Sequence, residues 1–351
     1  MIREIGSEFE YMASGHKNNG TDGLFFPEAE DRCFCFCGRT AIETVLLDVR
    51  GAGKACLPSY CCDSMIEPFR RAGIEVSFYR VIREDRGIDF LFEEIPSDAD
   101  IILYCNYFGF AAPYLPREIA DRVHARGGII LEDATQSILS RHAVHAESDY
   151  FVASLRKWFP TPSGGICAKR RGTFSVRPRG EVSGEFLSSR CEAMRIKERY
   201  GRTADPADKE VYRRLYGEAN HWLESHYTGL AADGETLAWL ASADLEDIRS
   251  RRRKNAEVLL DGLAGIRCVK PLFAREQMDC PLFLPVTVDR ERRTMVRQAL
   301  IDEAVYCPVH WPRPEADCDS ELYDTELSLI CDQRYDEADM ERILSVLRLQ
   351  G

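Results

Sequence analysis

Long apolar runs are missing from this chain. The opening 1-MIREIGSEFEYM-12 is acidic and has no apolar stretch of signal-peptide length, and no later segment approaches the roughly 20 apolar residues that cross a bilayer. The expected location is therefore the cytoplasm, with no membrane partner. Positive charge is in deficit too: 58 Asp and Glu stand against 46 Lys and Arg, a formal net charge of −12. That balance argues against whole-molecule attraction to nucleic acid or anionic lipid. The densest basic run, 249-RSRRRK-254, lies in a helical pattern and reads as a solvated helix face. Internal repeats and low-complexity tracts are also absent. With 45% hydrophobic and 30% charged residues, there is apolar material for one large core or two unequal ones.

Cysteine is plentiful, at 14 residues, yet no C-x-x-C pair occurs. In a reducing compartment the thiols stay free, and most are expected to be small buried hydrophobes. Cys33, Cys35 and Cys37 alternate with Phe34 and Phe36, a strand signature that points the thiols one way and the rings the other. Cys61 and Cys62 are adjacent, poor geometry for chelation by one segment. No metal is expected.

Short apolar runs recur at 54-KACLPS-59, 74-IEVSFYRV-81, 100-DIILYCNYFG-109, 128-GIILEDA-134 and 149-DYFVAS-154. Segments of helical spacing lie between the earlier ones: 39-RTAIETVLLDV-49, 63-DSMIEPFRRAG-73 and 116-PREIADRVHARG-127. This alternation predicts an α/β fold with a largely parallel sheet and crossover connections, whose ligands collect at the carboxyl ends of the strands. From about 180 to 260 the pattern is helical and highly charged. Strands and helices return at 281-PLFLPVTVD-289, 291-ERRTMVRQALIDEA-304 and 336-DEADMERILSVLRLQ-350, as expected of a smaller α+β domain. The boundaries read are 1–240 for the large domain and 241–351 for the small one. Residues 1–30 are expected to pack on the small domain or on a dimer partner.

Chemistry gathers at strand ends. In 38-GRTAIE-43 a strand meets a glycine and then a helix, with Thr40 at a capping position. The first-turn amides offer an anion site, although a capped helix alone gives the same pattern. In 131-LEDATQS-137 a strand delivers Glu132 and Asp133, with Gln136 close behind; such a carboxylate can ligate a metal, cap a helix or pair with a buried cation. The third stretch, 154-SLRKWFPTPSGG-165, sets Lys157 among Trp158, Phe159 and prolines. Lost hydration there would lower the amine's pKa and suit it to Schiff-base chemistry, whereas a surface loop lysine is the plain alternative.

Taken in order, these pieces resemble the fold type I enzymes of pyridoxal 5′-phosphate (PLP), most closely the DegT/DnrJ/StrS sugar aminotransferases. GRTAIETVL is similar to that family's Gly-Thr-Ser-Ala helix start, and 57-LPSYCCDSMIEPFRRAGIEVSFYRV-81 to its Pro-x-Phe-Thr-Phe strand, helix and strand. The run 104-YCNYFGF-110 resembles its His-Leu-Tyr-Gly turn and EDATQS its Glu-Asp-Ala-Ala-Gln. The run 251-RRRKNAEVLLDGL-263 is similar to its Arg-Arg-x-x-Ala helix, and 308-PVHWP-312 to its His-Tyr/Trp-Pro. The resemblance covers nearly the whole chain.

The resemblance implies a fold type I PLP-transferase, a homodimer, that moves an amino group from a donor such as glutamate to a keto sugar, nucleotide-linked or otherwise, or to a related metabolite. Lys157 would carry the Schiff base and the proton transfer, and Asp133 would pair with the pyridinium nitrogen. Gln136 would donate to the ring's phenolic oxygen. Gly38, Arg39, Thr40 and Ser154 would hold the phosphate, with Tyr60 and Asn106 also lining the cofactor. Lysine at this position favours amino transfer over the dehydratase branch, which carries histidine there. Where the family stacks an aromatic ring, this chain has Cys62; Tyr60, Tyr107 or Phe108 would supply the ring, or the sulfur would touch the cofactor. The Asn-x-Arg motif that brings a neighbouring subunit into the site is absent. His310 is either a substrate contact, orienting a hydroxyl or carboxylate, or a packed side chain beside Trp311. A PLP-dependent lyase or decarboxylase, and a non-catalytic PLP-binding regulator, remain the alternative readings.

Overall fold

The computed structural model describes residues 3–13, 20, 21, 23–141 and 145–351. The chain divides into two compact units, and each is built from two separate stretches: Met1–Arg50 with Phe151–Asp244, and Gly51–Tyr150 with Leu245–Gly351.

The first unit pairs a short sheet with a long helical hairpin. Strand Asp31–Cys35 runs antiparallel to Gly165–Lys169, with Cys33 opposite Cys167 and Cys35 opposite Gly165; Gly165–Lys169 in turn neighbours Tyr150–Ser154. The alternation predicted for the cysteine stretch holds from Cys33 to Cys35, where the strand ends; beyond it Phe36 and Cys37 are both buried, as are Cys33, Cys35 and Cys167. The helices Gly184–Thr203 and Pro206–Ser225 each start at a side-chain cap, Ser183 and Asp205, and Pro206 occupies the first turn where its missing N–H costs nothing. They pack through Ala193, Met194, Ile196, Tyr212, Leu215 and Tyr216. The N-terminal stretch lies along this hairpin: the Tyr11 amide donates to the Met194 carbonyl at 3.0 Å, and Glu8 pairs with Arg190 at 2.9 Å. Residues 1, 2, 14–19 and 22, within the stretch expected to pack on the small domain or a partner, lie outside the described residues.

The second unit holds four parallel strands in the order Glu75–Tyr79, Lys54–Pro58, Ile101–Cys105, Ile129–Asp133, together with the helices Asp63–Arg71 and Arg117–His124. The fully apolar run at Ile101–Cys105 is what a strand covered on both faces requires. The C-terminal part adds an antiparallel sheet, Lys270–Pro271, Leu284–Thr287 and Glu326–Leu329, with helices Leu245–Gly262, Arg290–Asp302 and Glu337–Arg348.

The basic run 249–254 is not a solvated face throughout. Arg252 is fully buried, donating from Nε to Gln333 Oε1 at 2.8 Å and from Nη1 to the Leu282 carbonyl at 2.9 Å. Arg249 is buried against Asp279 at 3.2 Å and the Leu139 carbonyl, while Arg251 and Lys254 are exposed. Five donors in a rigid fork let a buried guanidinium satisfy several loop carbonyls at once, a role charge patterning does not reveal. Elements without a clear sequence pattern also emerge: the strand Gly165–Lys169 and the hairpin Val81–Glu84 with Gly87–Phe90.

Candidate functional site

In the first unit, strand Tyr150–Ser154 runs into a single 3₁₀ turn, Leu155–Lys157. The Leu155 amide donates to the Gly164 carbonyl at 3.0 Å and the Trp158 amide to the Leu155 carbonyl at 2.9 Å. Leu155, Trp158 and Phe159 are buried to within 1%. Apolar anchors on both sides thus pin the turn and leave Lys157 half-buried at its end. Trp158 is such an anchor.

Gly38 opens the helix Gly38–Asp48, after Cys37 in an extended conformation. A Cβ built on Gly38 would stand 3.2 Å from Ser154 Cβ, so the helix start and the strand end are in contact. The first-turn amides of Gly38, Arg39 and Thr40 have no acceptor within the helix, which is the geometry of an anion site. Thr40 is not the cap. The N-cap is Cys37, which makes no side-chain cap bond, and the Thr40 hydroxyl donates to the Tyr227 carbonyl at 2.7 Å. Beside these groups lies a charge cluster that the sequence does not disclose. Burial, then the neighbouring Arg190, lowers Arg156 to about 10, with Glu8 opposing and Arg39 adding to the shift. Burial raises Glu8, but Arg190 and Arg156 outweigh it and hold the carboxyl at about 2.

In the second unit, strand Ile129–Asp133 delivers two adjacent carboxylates to opposite faces. Glu132 is fully buried and serves the fold: it accepts from the Asn106 side-chain amide, from the His145 backbone amide at 2.8 Å and from Ser148 Oγ at 2.8 Å. Asp133, also buried, accepts the Thr135 amide at 2.8 Å through Oδ1. The Asn106 amide donates to the Asp133 carbonyl at 3.2 Å, tying the ends of two parallel strands together. Gln136 is 1% exposed; its Oε1 accepts the Phe108 amide at 2.9 Å. Its Nε2 has no hydrogen-bond partner among the described residues.

Tyr60 shares this second property. Its ring is wholly buried, with centroids 5.1 Å from Trp311, 5.2 Å from Tyr323 and 5.6 Å from Tyr107, and its hydroxyl has no partner among the described residues. Burial, with smaller contributions from Glu326 and Tyr323, raises this hydroxyl well above the usual tyrosine range and keeps it a donor. Tyr107 donates to the Tyr60 carbonyl. The turn is tight: Phe108 has a φ of 59°, and a Cβ on Gly109 would lie 1.9 Å from the Cys280 carbonyl oxygen. Cys62 is half-buried, with Sγ 2.9 Å from Ser64 Oγ. His310 is 7% exposed and packs against Phe283 at 4.9 Å and Phe108 at 5.6 Å, with its Nδ1 2.8 Å from Ser328 Oγ.

Gly38, Arg39, Thr40, Ser154 and Lys157 therefore belong to one unit, and Tyr60, Asn106, Asp133, Gln136 and His310 to the other. Two buried donors lacking acceptors among the described residues, in the unit that also holds the strand-end carboxylate Asp133, fit a ligand with an acceptor oxygen and a protonated ring nitrogen. PLP has both. An unsatisfied buried donor costs about 1–3 kcal/mol, a cost that other buried groups such as Ser137 Oγ and Arg342 Nε also carry among the described residues.

No family model matches the chain, and no curated protein matches it. Solved structures do. The sugar aminotransferase CalS13 from Micromonospora echinospora superposes with a TM-score of 0.65 at 14% identity, covering 99% of this chain and 100% of that one. A DegT DnrJ EryC1 StrS aminotransferase from Brucella abortus gives 0.61 at 18% identity, over 92% and 86%. DesI, solved in the presence of its TDP-sugar product, gives 0.59 at 15% identity, over 91% and 80%. The fold of this chain is therefore the α/β fold of the fold type I, DegT/DnrJ/EryC1/StrS-type aminotransferases.

Proposed function

We propose that the chain is a PLP-dependent aminotransferase that moves an amino group from an amino-acid donor such as glutamate to a keto sugar, nucleotide-linked or otherwise. The observation that carries the reading is the pair of buried donors without acceptors among the described residues, Gln136 Nε2 and Tyr60 OH, in the same unit as Asp133, which Gln136 closely follows in the chain. The sugar class is supported by the solved structures of the same fold. The domains at 1–240 and 241–351 and the cytoplasmic location, read from the sequence pattern, and the homodimer, implied by the resemblance, belong to this proposal.

When bound, PLP supplies an electron sink for negative charge developing at a substrate carbon. Asp133 would hold the proton of the ring nitrogen, and Gln136 and Tyr60 would donate to ring oxygen. Glu132 and Asn106 keep that strand end in place. Gly38, Arg39 and Ser154 would grip phosphate with amides, charge and a hydroxyl; Thr40 would contribute its amide, since its hydroxyl serves Tyr227. Lys157 Nζ would take and return the proton at the substrate carbon. Its half-buried position on a pinned turn restricts the arc the amine can sweep.

The test is to add glutamate to purified holoprotein and follow the cofactor's absorbance. Conversion to the amine form, abolished in Lys157→Ala, is the expected result. An unchanged spectrum across a panel of amino donors overturns transamination.

A further inference from the structure

One buried chain of polar groups is left unused by that reading. Glu326 and Ser328 stand two apart on the strand Glu326–Leu329, so their side chains share a face, and both are fully buried. Glu326 Oε1 is 2.5 Å from Ser328 Oγ, and Ser328 Oγ is 2.8 Å from His310 Nδ1. The other carboxyl oxygen, Oε2, accepts the His310 backbone amide at 2.6 Å. One carboxyl group thus anchors His310 by its backbone and reaches its ring through a single hydroxyl. The imidazole stands edge-on to Phe108, 5.6 Å between centroids, and the Phe108 amide is held by Gln136.

We propose that Glu326, acting through the Ser328 hydroxyl, sets which ring nitrogen of His310 carries the proton, making the pair a proton-linked switch in the fold that does not depend on the aminotransferase reading.

The protons balance as follows. With Glu326 neutral, its O–H donates to Ser328, the Ser328 O–H donates to Nδ1, and the ring proton sits on Nε2. With Glu326 ionised, Ser328 donates to Oε1, Nδ1–H donates to Ser328, and Nε2 is an acceptor. Passing from the first state to the second releases one proton from Nε2. Two others shift one place, from Glu326 to Ser328 and from Ser328 to Nδ1, and the negative charge ends on Glu326. Oε2 accepts the His310 amide in both states, and a Ser328 hydroxyl that donates to Oε1 belongs to the second.

Glu326 is suited to this by its surroundings. Burial pushes it up to about 8, against the His310 amide, Ser328 and Arg293, which favour the ion. The groups that act on it or feel its charge are Arg293 from helix Arg290–Asp302, Tyr60 beyond strand Lys54–Pro58, and Cys307 and His310 from the preceding segment. Tyr60 and Cys307 are themselves pushed up by burial and stay neutral. Glu326 therefore changes charge close to neutral pH, where the two arrangements interchange.

The readout is the ¹⁵N spectrum of the imidazoles in the full-length purified protein, with His310 assigned by loss of its signals in His310→Gln. The expected result is the Nε2–H tautomer at pH 7 and a shift toward Nδ1–H by pH 9. Ser328→Ala should abolish this pH dependence, Ser328→Thr should restore it, and Glu326→Gln should freeze the Nε2–H form. Should Ser328→Ala fail to fold, the Thr and Gln variants carry the test. A pH-dependent tautomer surviving in Glu326→Gln, or a single tautomer from pH 7 to 9 in the native protein, overturns the relay.

Discussion

Gln136 accepts the Phe108 amide at 2.9 Å with Oε1 and keeps Nε2 buried without a partner among the described residues. One end of the side chain builds the fold, and the other waits for an acceptor. Replacing Gln136 by Glu keeps an acceptor for Phe108 and removes the donor. We expect the cofactor-free protein to unfold at a urea midpoint close to the native one, while affinity for PLP, read by equilibrium dialysis, falls about tenfold or more. That factor corresponds to the loss of one hydrogen bond of about 1.4 kcal/mol.

Gly38 and Gly165 should respond differently to alanine. A Cβ at Gly38 meets Ser154 Cβ at 3.2 Å, so a small shift accommodates it, but the shift falls on the expected phosphate site. At Gly165 a Cβ would lie 2.3 Å from the Cys37 carbonyl oxygen, a backbone atom that cannot yield without breaking the pairing of Gly165 with Cys35. Gly165→Ala should cost about 3 kcal/mol or more in urea unfolding, and Gly38→Ala about 1 kcal/mol, with its larger effect on PLP retention.

Much of this architecture can be read from the chain because apolar runs and turn residues mark strands independently of what they pack against. Lys54–Pro58, Ile101–Cys105 and Ile129–Asp133 all fall where the pattern places them. What escapes is whatever depends on which residues meet. Glu132 and Asp133 are neighbours of one type at one strand end, and only the arrival of Asn106, His145 and Ser148 shows that Glu132 is spent on the fold. Thr40 has the identity of a cap, yet Tyr227, far along the chain, claims its hydroxyl. Arg252 looks like its exposed neighbours until the loops at Leu282 and Gln333 close over it. Likewise Glu326 and Ser328 carry no motif that points to His310.

The two halves of the basic run supply a direct comparison. Arg252→Met removes the bond to Gln333 and the bond to the Leu282 carbonyl, stranding two buried acceptors. We expect a loss of about 3 kcal/mol, partly offset by no longer burying a charge. Lys254→Ala touches only an exposed pair with Glu337 at 3.9 Å and should shift stability by about 0.5 kcal/mol or less. Equal effects in chemical denaturation would contradict the buried placement.

Two carboxylates should shape the pH profile of stability from opposite ends. Glu8 has its folded pKa lowered to about 2 from an ordinary value of 4.5, so its contribution is present above 4.5 and is lost as pH falls toward 2. Its side chain is 35% exposed, and solvent screening limits the effect to about 1 kcal/mol. Glu326 has its folded pKa raised to about 8, so its contribution is fully present below 4.5 and is lost as pH rises through 8. Being fully buried, it carries the larger effect, on the order of a few kcal/mol. Glu326→Gln cannot ionise. The stability of the native protein relative to this variant should therefore fall from pH 5 to pH 8 and level off toward pH 9 in urea titrations, and the same comparison with Glu8→Gln should show the opposite slope between pH 5 and pH 3. A native-minus-Glu326→Gln difference that stayed flat with pH would mean that Glu326 is ionised at neutrality, and its burial would then need a cation that Arg293 alone does not supply.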